Sequence, residues 1–223
     1  MAPRKARPAT VIQAPDLPDL EPLSLRHVSE DGALTLEGVR VESAGAEPVR
    51  ARRIVIIESE LDGVTVAGDD VPGLQLRDVI LRGCDLSNVD GREGSLRRVE
   101  IRGSRLLGLG MSGGDAQDLS VVDSSLALAS FAFARLRHVV LERVDLTEAS
   151  FMKAQLDGVE FIDCKLSGTD FREAETKDCV IRGTSLDGVI GVDSLRDVVM
   201  PWPDVLASAA ALANALGIQV ESD

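Results

Sequence analysis

The 223-residue chain is 44% hydrophobic and 3% aromatic, lacks tyrosine, and carries a formal charge of −13 from 37 acidic and 24 basic side chains. That balance suits a globular domain able to bury a core. It excludes direct nucleic-acid binding as an expectation, because a phosphate backbone is held by Lys and Arg and single strands by aromatic platforms.

No apolar run approaches the roughly 20 residues of a membrane helix, and the basic start MAPRKARP leads into PDLPDLEP rather than an apolar leader. A soluble, cytoplasmic protein with a protein partner is expected. Five of the nine prolines fall within residues 1–22, which reads as a flexible tail. Residues 1–33 are therefore assigned to a tail and entry segment.

From Leu36 to Leu186 every fifth residue forms one row, and 29 of its 31 positions are Ala, Val, Leu, Ile, Met or Phe, with only Gly91 and Thr176 departing. Of the residues one step earlier, only Val55, Ile80, Val140 and Val180 are apolar, so the period is real. A second row, two residues before the first, is mostly small or medium, with Cys84, Ser104, Ala129, Ala149, Cys164 and Thr184 among its members and Asp69 its one charge. Two residues is the spacing at which extended backbone points side chains to one side.

A period of five fits no straight helix, whose face would drift by about 140° per repeat. Nor does it fit a continuous strand, where an odd step changes faces. The chain must turn within each unit, always sending one small and one large side chain inward, so it closes into stacked coils whose axis is filled by the two rows.

The units "CDLSN" (84–88), "VDLTE" (144–148), "ASFMK" (149–153), "CKLSG" (164–168) and "TDFRE" (169–173) resemble those of the pentapeptide-repeat family, which read roughly A(D/N)LXX. The resemblance implies an all-β solenoid over residues 34–190, a right-handed quadrilateral β-helix of about eight coils, and a rod of roughly 38 Å at ~4.8 Å per coil. The match weakens before Leu76, around Gly91–Gly94 and around Met111–Ala116, where irregular coils or small loops are expected. Any bulge must be compensated, because the numerical register resumes unchanged.

Residues 191–223 change period. Pro203 suits a first helical turn, Val205, Leu206, Ala209, Leu212, Ala213 and Leu216 form a helical stripe beside Trp202, and Gly217 fits a C-terminal stop. This short helix is expected to cap the last coil or to pair with a second copy.

Cys84, Cys164 and Cys179 all lie in the small inward row and are expected as free, buried thiols rather than a metal or redox site. His27 and His138 read as surface side chains, and "GLGMSGG" (108–114) lacks the following helix of a phosphate loop. No catalytic, cofactor or metal site is expected. Asp85, Asp90, Asp145 and Asp170 occupy the repeat position that satisfies backbone groups at turns. Outward apolar residues Ile80, Val122, Val140, Ile162 and Val180 fall on one side and suggest a contact surface.

Acid accumulates toward the end of the chain, with 14 acidic and 8 basic residues from Met111 to Ile190, then Asp193, Asp197, Asp204, Glu221 and Asp223 against Arg196 alone. Some members of the family, the fluoroquinolone-resistance proteins, act on DNA gyrase as acidic, DNA-shaped homodimers, and the C-terminal helix resembles that of the mycobacterial type. The resemblance thus implies a non-enzymatic DNA mimic engaging a type II topoisomerase. Asp145, Glu148, Asp157, Glu160, Asp163, Asp170, Glu173, Glu175 and Asp178 are the candidate partner-binding residues. The alternative is a structural or scaffolding solenoid with another protein partner.

Overall fold

The structure, a computed structural model, describes residues 9–23, 32–42, 48–67 and 70–220. His27, Asp69, Glu221 and Asp223 lie outside them.

In chain order the strands are β1 (Glu21–Leu23), β2 (Ala33–Glu37), β3 (Val39–Glu42), β4 (Val49–Arg50), β5 (Arg53–Asp62), β6 (Val66–Ala67), β7 (Gln75–Arg82), β8 (Ser95–Arg102), β9 (Asp115–Val122), β10 (Arg135–Glu142), β11 (Gln155–Ile162), β12 (Glu175–Lys177) and β13 (Val180–Arg182). A 3-10 turn (Val192–Ser194) and helices α1 (Trp202–Ala207) and α2 (Ala209–Ala215) follow.

From β2 to β12 and β13 the strands stack in parallel with a register of 20 residues, Leu36 on Ile56, Leu76 on Leu96, Leu136 on Leu156. The stack is a parallel solenoid of about seven turns, four five-residue units to the coil. Two sides of each coil form one long bent strand. The other two are held by single bridges such as Asp145 to Lys165 and Ser150 to Asp170.

The turn that makes a coil out of a five-residue unit is a left-handed residue. Two residues after each large inward side chain, from Glu58 to Gly188, every described position has φ between 49° and 76°. Ten glycines share this position with sixteen other residues, Leu128 and Phe133 among them. The coil therefore imposes the conformation on whatever side chain falls there, against the usual cost of about 1–2 kcal/mol for an L residue. The offset comes from the stacking bonds, since these same amides donate to the next coil: Gly83 to Arg102 O at 3.0 Å, Leu128 to Thr147 O at 2.9 Å, Glu148 to Ser167 O at 2.9 Å.

Among the described residues both inward rows are buried, except that Thr176, Val39 and Val49 are half-buried. Near the C-terminal end Phe131, Phe151 and Phe171 stack with centroids 5.2 and 5.1 Å apart, and Phe161 meets Phe151 edge-on at 5.8 Å. Polar members of the small row are satisfied in line: Ser104 Oγ accepts the Cys84 amide at 3.1 Å, and Ser124 Oγ accepts the Ser104 amide at 3.0 Å.

The glycine-rich units are regular, contrary to the irregular coils expected of them. A Cβ at Gly94 or Gly114 would stand 3.2 or 3.1 Å from Met111 Cε, and one at Gly114 would lie 2.8 Å from the Gly94 carbonyl. The missing side chains make room for Met111, so bulk is redistributed between rows and the register survives. Irregularity sits in the first coil instead. There β4 pairs with β6 at an offset of 17 (66 − 49), against 20 (53 − 33) where β2 meets β5.

Both ends of the stack are covered. At the C-terminal end the last coil's amides find partners in the segment that follows: Glu173 N–H to Ser194 Oγ at 3.0 Å, Ile181 N–H to Val199 O at 3.0 Å, Gly183 N–H to Asp204 Oδ2 at 2.8 Å and Leu186 N–H to Ser208 Oγ at 3.1 Å. At the other end β1 pairs with β3, Glu21 opposite Val39.

The tail expected to be flexible is, over residues 9–23, laid lengthwise along the solenoid. The Thr10 amide meets Glu160, the Gln13 amide lies 3.5 Å from Asp118 Oδ1, and the Asp16 amide donates to Asp78 Oδ1 at 3.0 Å. Three residues of polyproline-like chain rise about 9.3 Å, and two stacked coils rise about 9.6 Å. Each third amide of the strap therefore meets every second coil.

A Cβ at Gly103 has nothing within 4 Å, yet φ there is 55°. Gly103→Ala isolates the cost of the left-handed turn and should lower stability by about 1 kcal/mol. Gly114→Ala, which also meets backbone, should lower it further. Urea denaturation midpoints check both, and a stabilised Gly103→Ala would show that the turn carries no penalty.

Candidate partner-binding surfaces

The nine acidic candidates do not form one face. Asp145, Asp157, Asp170 and Glu173 are each paired with a cation: Lys165 at 3.8 Å, Lys177 at 2.7 Å, Arg172 at 2.7 Å and Lys153 at 3.5 Å. Asp145 and Asp170 also close turns, accepting the Thr147 amide at 3.0 Å and the Arg172 amide at 2.9 Å. Asp85 does the same for Ser87 at 2.9 Å and Asp90 for Arg92 at 3.4 Å. Arg172 holds the Asp170 carboxyl below the ordinary range against its partial burial.

Glu160 belongs to a different surface. It is only 3% exposed, and its carboxylate accepts the Thr10 amide beneath the strap. Glu148, Asp163 and Glu175 are exposed and make no ion pair among the described residues. Asp178 is half-buried at the corner where the two long-strand sides meet.

The strap makes that corner the most developed polar site of the molecule. Residues 78, 98, 118, 138, 158 and 178 form one column of left-handed residues, one per coil. In it Asp78 and Asp118 are each only 2% exposed. Arg98 grips Asp78 through Nε and Nη2, each at 2.5 Å, while His138 Nδ1 stands 3.4 Å from Asp118. Thr10 Oγ1 adds a bond to Gly158 O at 3.2 Å. Of the strap, Thr10, Ile12, Pro15, Leu17 and Leu20 are half-buried. Sequence reasoning missed this site, because an extended segment that binds through its own amides leaves no hydrophobic period.

The apolar side is partly spent within the chain. Val122 and Val180 are buried and Ile80, Val140 and Ile162 half-buried, with Val180 bridged to Val199. At the C-terminal end the expected single helix is two short ones broken at the buried Ser208. Val205 and Leu212 line a pocket of about 270 Å³ with Ile181, Leu186, Val198 and Met200, and Ala213 is half-buried. Leu206, Ala209, Leu216 and Trp202 point away from the solenoid, so only part of the expected stripe packs on it.

The three thiols are buried and donate to backbone carbonyls, Cys164 to Leu141 O at 3.2 Å, Cys84 to Leu61 O and Cys179 to Leu156 O at 3.4 Å. Burial pushes all three up, Cys164 to about 11, away from the thiolate that metal or redox chemistry needs. Among the described residues no helix is long and apolar enough to cross a membrane.

Burial pushes the Asp78 carboxyl up, but bonds from Arg98 and the Asp16 amide, with the charges of Arg98 and Arg77, outweigh it and hold the group below its ordinary value. A carboxyl depressed in the folded state contributes stability fully above its unfolded value of about 3.9. It loses that contribution as pH falls through the folded value. Asp78→Asn should therefore destabilise at neutral pH and cost progressively less below about pH 4. Denaturation midpoints of both proteins at neutral and acid pH test this, and a gap independent of pH would remove the ionised Asp78 from the account.

The family model for pentapeptide repeats matches eight copies, over residues 73–106, 124–168 and 154–190. Full-length QnrB1, a plasmid-mediated fluoroquinolone resistance protein, is a structural match at 20% identity with a TM-score of 0.44, covering 81% of this chain and 99% of that one. HetL, a pentapeptide repeat protein involved in heterocyst differentiation regulation in the cyanobacterium Nostoc sp., matches at 19% identity with a TM-score of 0.27, over 85% of this chain and 92% of that one. No curated protein matches the chain. The coils and their left-handed turns are pentapeptide repeats, and the chain is a pentapeptide-repeat protein.

Proposed function

We propose that this protein is a non-enzymatic, protein-binding rod that engages a type II topoisomerase, DNA gyrase, in the manner of duplex DNA. The carrying observation is excess acid on a parallel solenoid of about seven turns, 14 acidic against 8 basic residues from Met111 to Ile190. Such a rod is drawn into a basic DNA-binding saddle by long-range attraction. Glu148, Asp163 and Glu175, which make no ion pair among the described residues, supply the contact charge. A second reading, a scaffolding solenoid for another protein, is favoured by the ion pairs that neutralise Asp145, Asp157, Asp170 and Glu173.

A supercoiling assay with the host's gyrase, with and without a fluoroquinolone, separates the two. The DNA-mimic reading expects inhibition or drug protection that is lost in a Glu148→Lys, Asp163→Lys, Glu175→Lys variant. No effect of the unmodified protein well above the enzyme's concentration would leave the scaffold reading.

The rod is further proposed to work as a homodimer joined at its C-terminal end, where Trp202 is 70%, Leu206 58%, Leu216 79%, Ile218 54% and Val220 55% exposed. So many apolar side chains at one end are the kind of surface a second copy covers. Sedimentation should give twice the 23.7 kDa chain mass, and Leu206→Asp with Leu216→Asp should return it to one. A monomeric parent, or a dimer indifferent to the substitutions, would overturn this assignment.

A further inference from the structure

We infer that the corner formed by Asp78, Asp118 and, two residues past Gly158, Glu160 is a peptide-binding groove, occupied in this chain by residues 9–23 and open in trans to an extended, proline-punctuated acidic segment of a partner protein. The proposal does not rest on the gyrase reading.

The groove reads backbone. Its three carboxylates are buried to 2–3% exposure, stand at two-coil intervals, and face amides at Thr10, Gln13 and Asp16. A peptide needs a free N–H only at every third residue to satisfy them. Pro15 falls between the last two amides and Pro18 beyond them, where a missing N–H costs nothing. Each carboxylate loses one amide donor when the strap lifts, while Asp78 keeps its bonds from Arg98 and Asp118 keeps Gln117, so the acceptors stay in place for another extended chain. Because the bonds go to the main chain, occupancy is not restricted to one sequence, as in other modes that recognise extended peptides.

Charge sets the class of sequence. The lower groove is cationic, with Arg77 and Arg98 flanking Asp78. Asp16 of the strap acts on Arg98 electrostatically, and Asp19 and Glu21 follow it in the sequence. The fitting peptide is therefore extended, carries proline, and is acidic in its second half. The strap occupies the groove intramolecularly, so a partner must compete with it. A groove free in about a tenth of molecules lowers the apparent affinity roughly tenfold.

The test keeps the full chain. Thr10→Pro, Gln13→Pro and Asp16→Pro together delete the three amides and weaken the strap in place. The probe is a fluorescent synthetic peptide of residues 9–23, ATVIQAPDLPDLEPL. Its anisotropy should rise with the triple variant at a concentration roughly tenfold below that needed by the parent protein. The signal should vanish when Asp78→Asn and Asp118→Asn are added, or when Asp16, Asp19 and Glu21 of the probe are replaced by lysine.

Amide hydrogen exchange on the unmodified chain tests the same site without any variant. Thr10, Gln13 and Asp16 should be protected while Val11 and Ala14 exchange freely. A triple variant that unfolds cooperatively yet leaves the probe unbound, or uniform exchange along residues 10–16 of the parent, would overturn the proposal.

Discussion

The structure depends on one bond, repeated: the amide of a left-handed residue donating to the coil that follows. Successive five-residue units can each send two side chains inward only if the chain turns between units, and that turn uses a positive φ that L residues resist. Taken singly each turn is unfavourable. Stacked, it presents its N–H along the rod axis, as at Gly83, Leu128 and Glu148, where the next coil's carbonyl waits. Turn and stack are thus one interaction seen from two directions, which is why Leu128 and Phe133 tolerate the position while half exposed.

A fold built on that bond has two exposed ends, and the rest of the chain is arranged around them. The C-terminal segment brings Ser194, Val199, Asp204 and Ser208 to four amides of the last coil. The N-terminal segment does more than cover the first coil. In a solenoid each coil ordinarily feels only its neighbours, so opening can begin locally. A strap touching the coils of Asp78, Asp118 and Glu160 couples levels that do not touch one another.

The inward rows were legible because burial of a fixed pair of positions leaves an arithmetic trace, and every described large-row position but Thr176 is buried. The glycine units misled because substitution was read row by row, while volume is conserved across rows: Gly94 and Gly114 empty the space that Met111 fills. The C-terminal stripe was half right, since Val205 and Leu212 pack while the break at Ser208 turns Leu206 and Leu216 away. The strap was illegible for another reason. Backbone amides carry no side-chain signature, and the trace that existed, Asp78 and Asp118 two coils apart with Thr10, Gln13 and Asp16 three residues apart, joins two different periods in distant parts of the chain.

The interleaving of charge has a structural origin that bears on how a partner is met. Residues 20 apart sit directly above one another at about 4.8 Å, where like charges repel by roughly 1 kcal/mol even in water. Several columns pair opposite charges, Arg40 over Glu60, Asp123 over Arg143, Asp145 over Lys165, Lys153 over Glu173 and Asp157 over Lys177, although Arg77 lies over Arg97 and Arg82 over Arg102. An uninterrupted acidic column would add such repulsion at every coil, so cations among the acids favour stacking. Some acids have a neutral column neighbour, such as Glu148 beside Gly168. Any electrostatic partner of this rod therefore meets scattered corners on a balanced lattice, and the spacing of those corners is set by the same 20-residue register that holds the coils together.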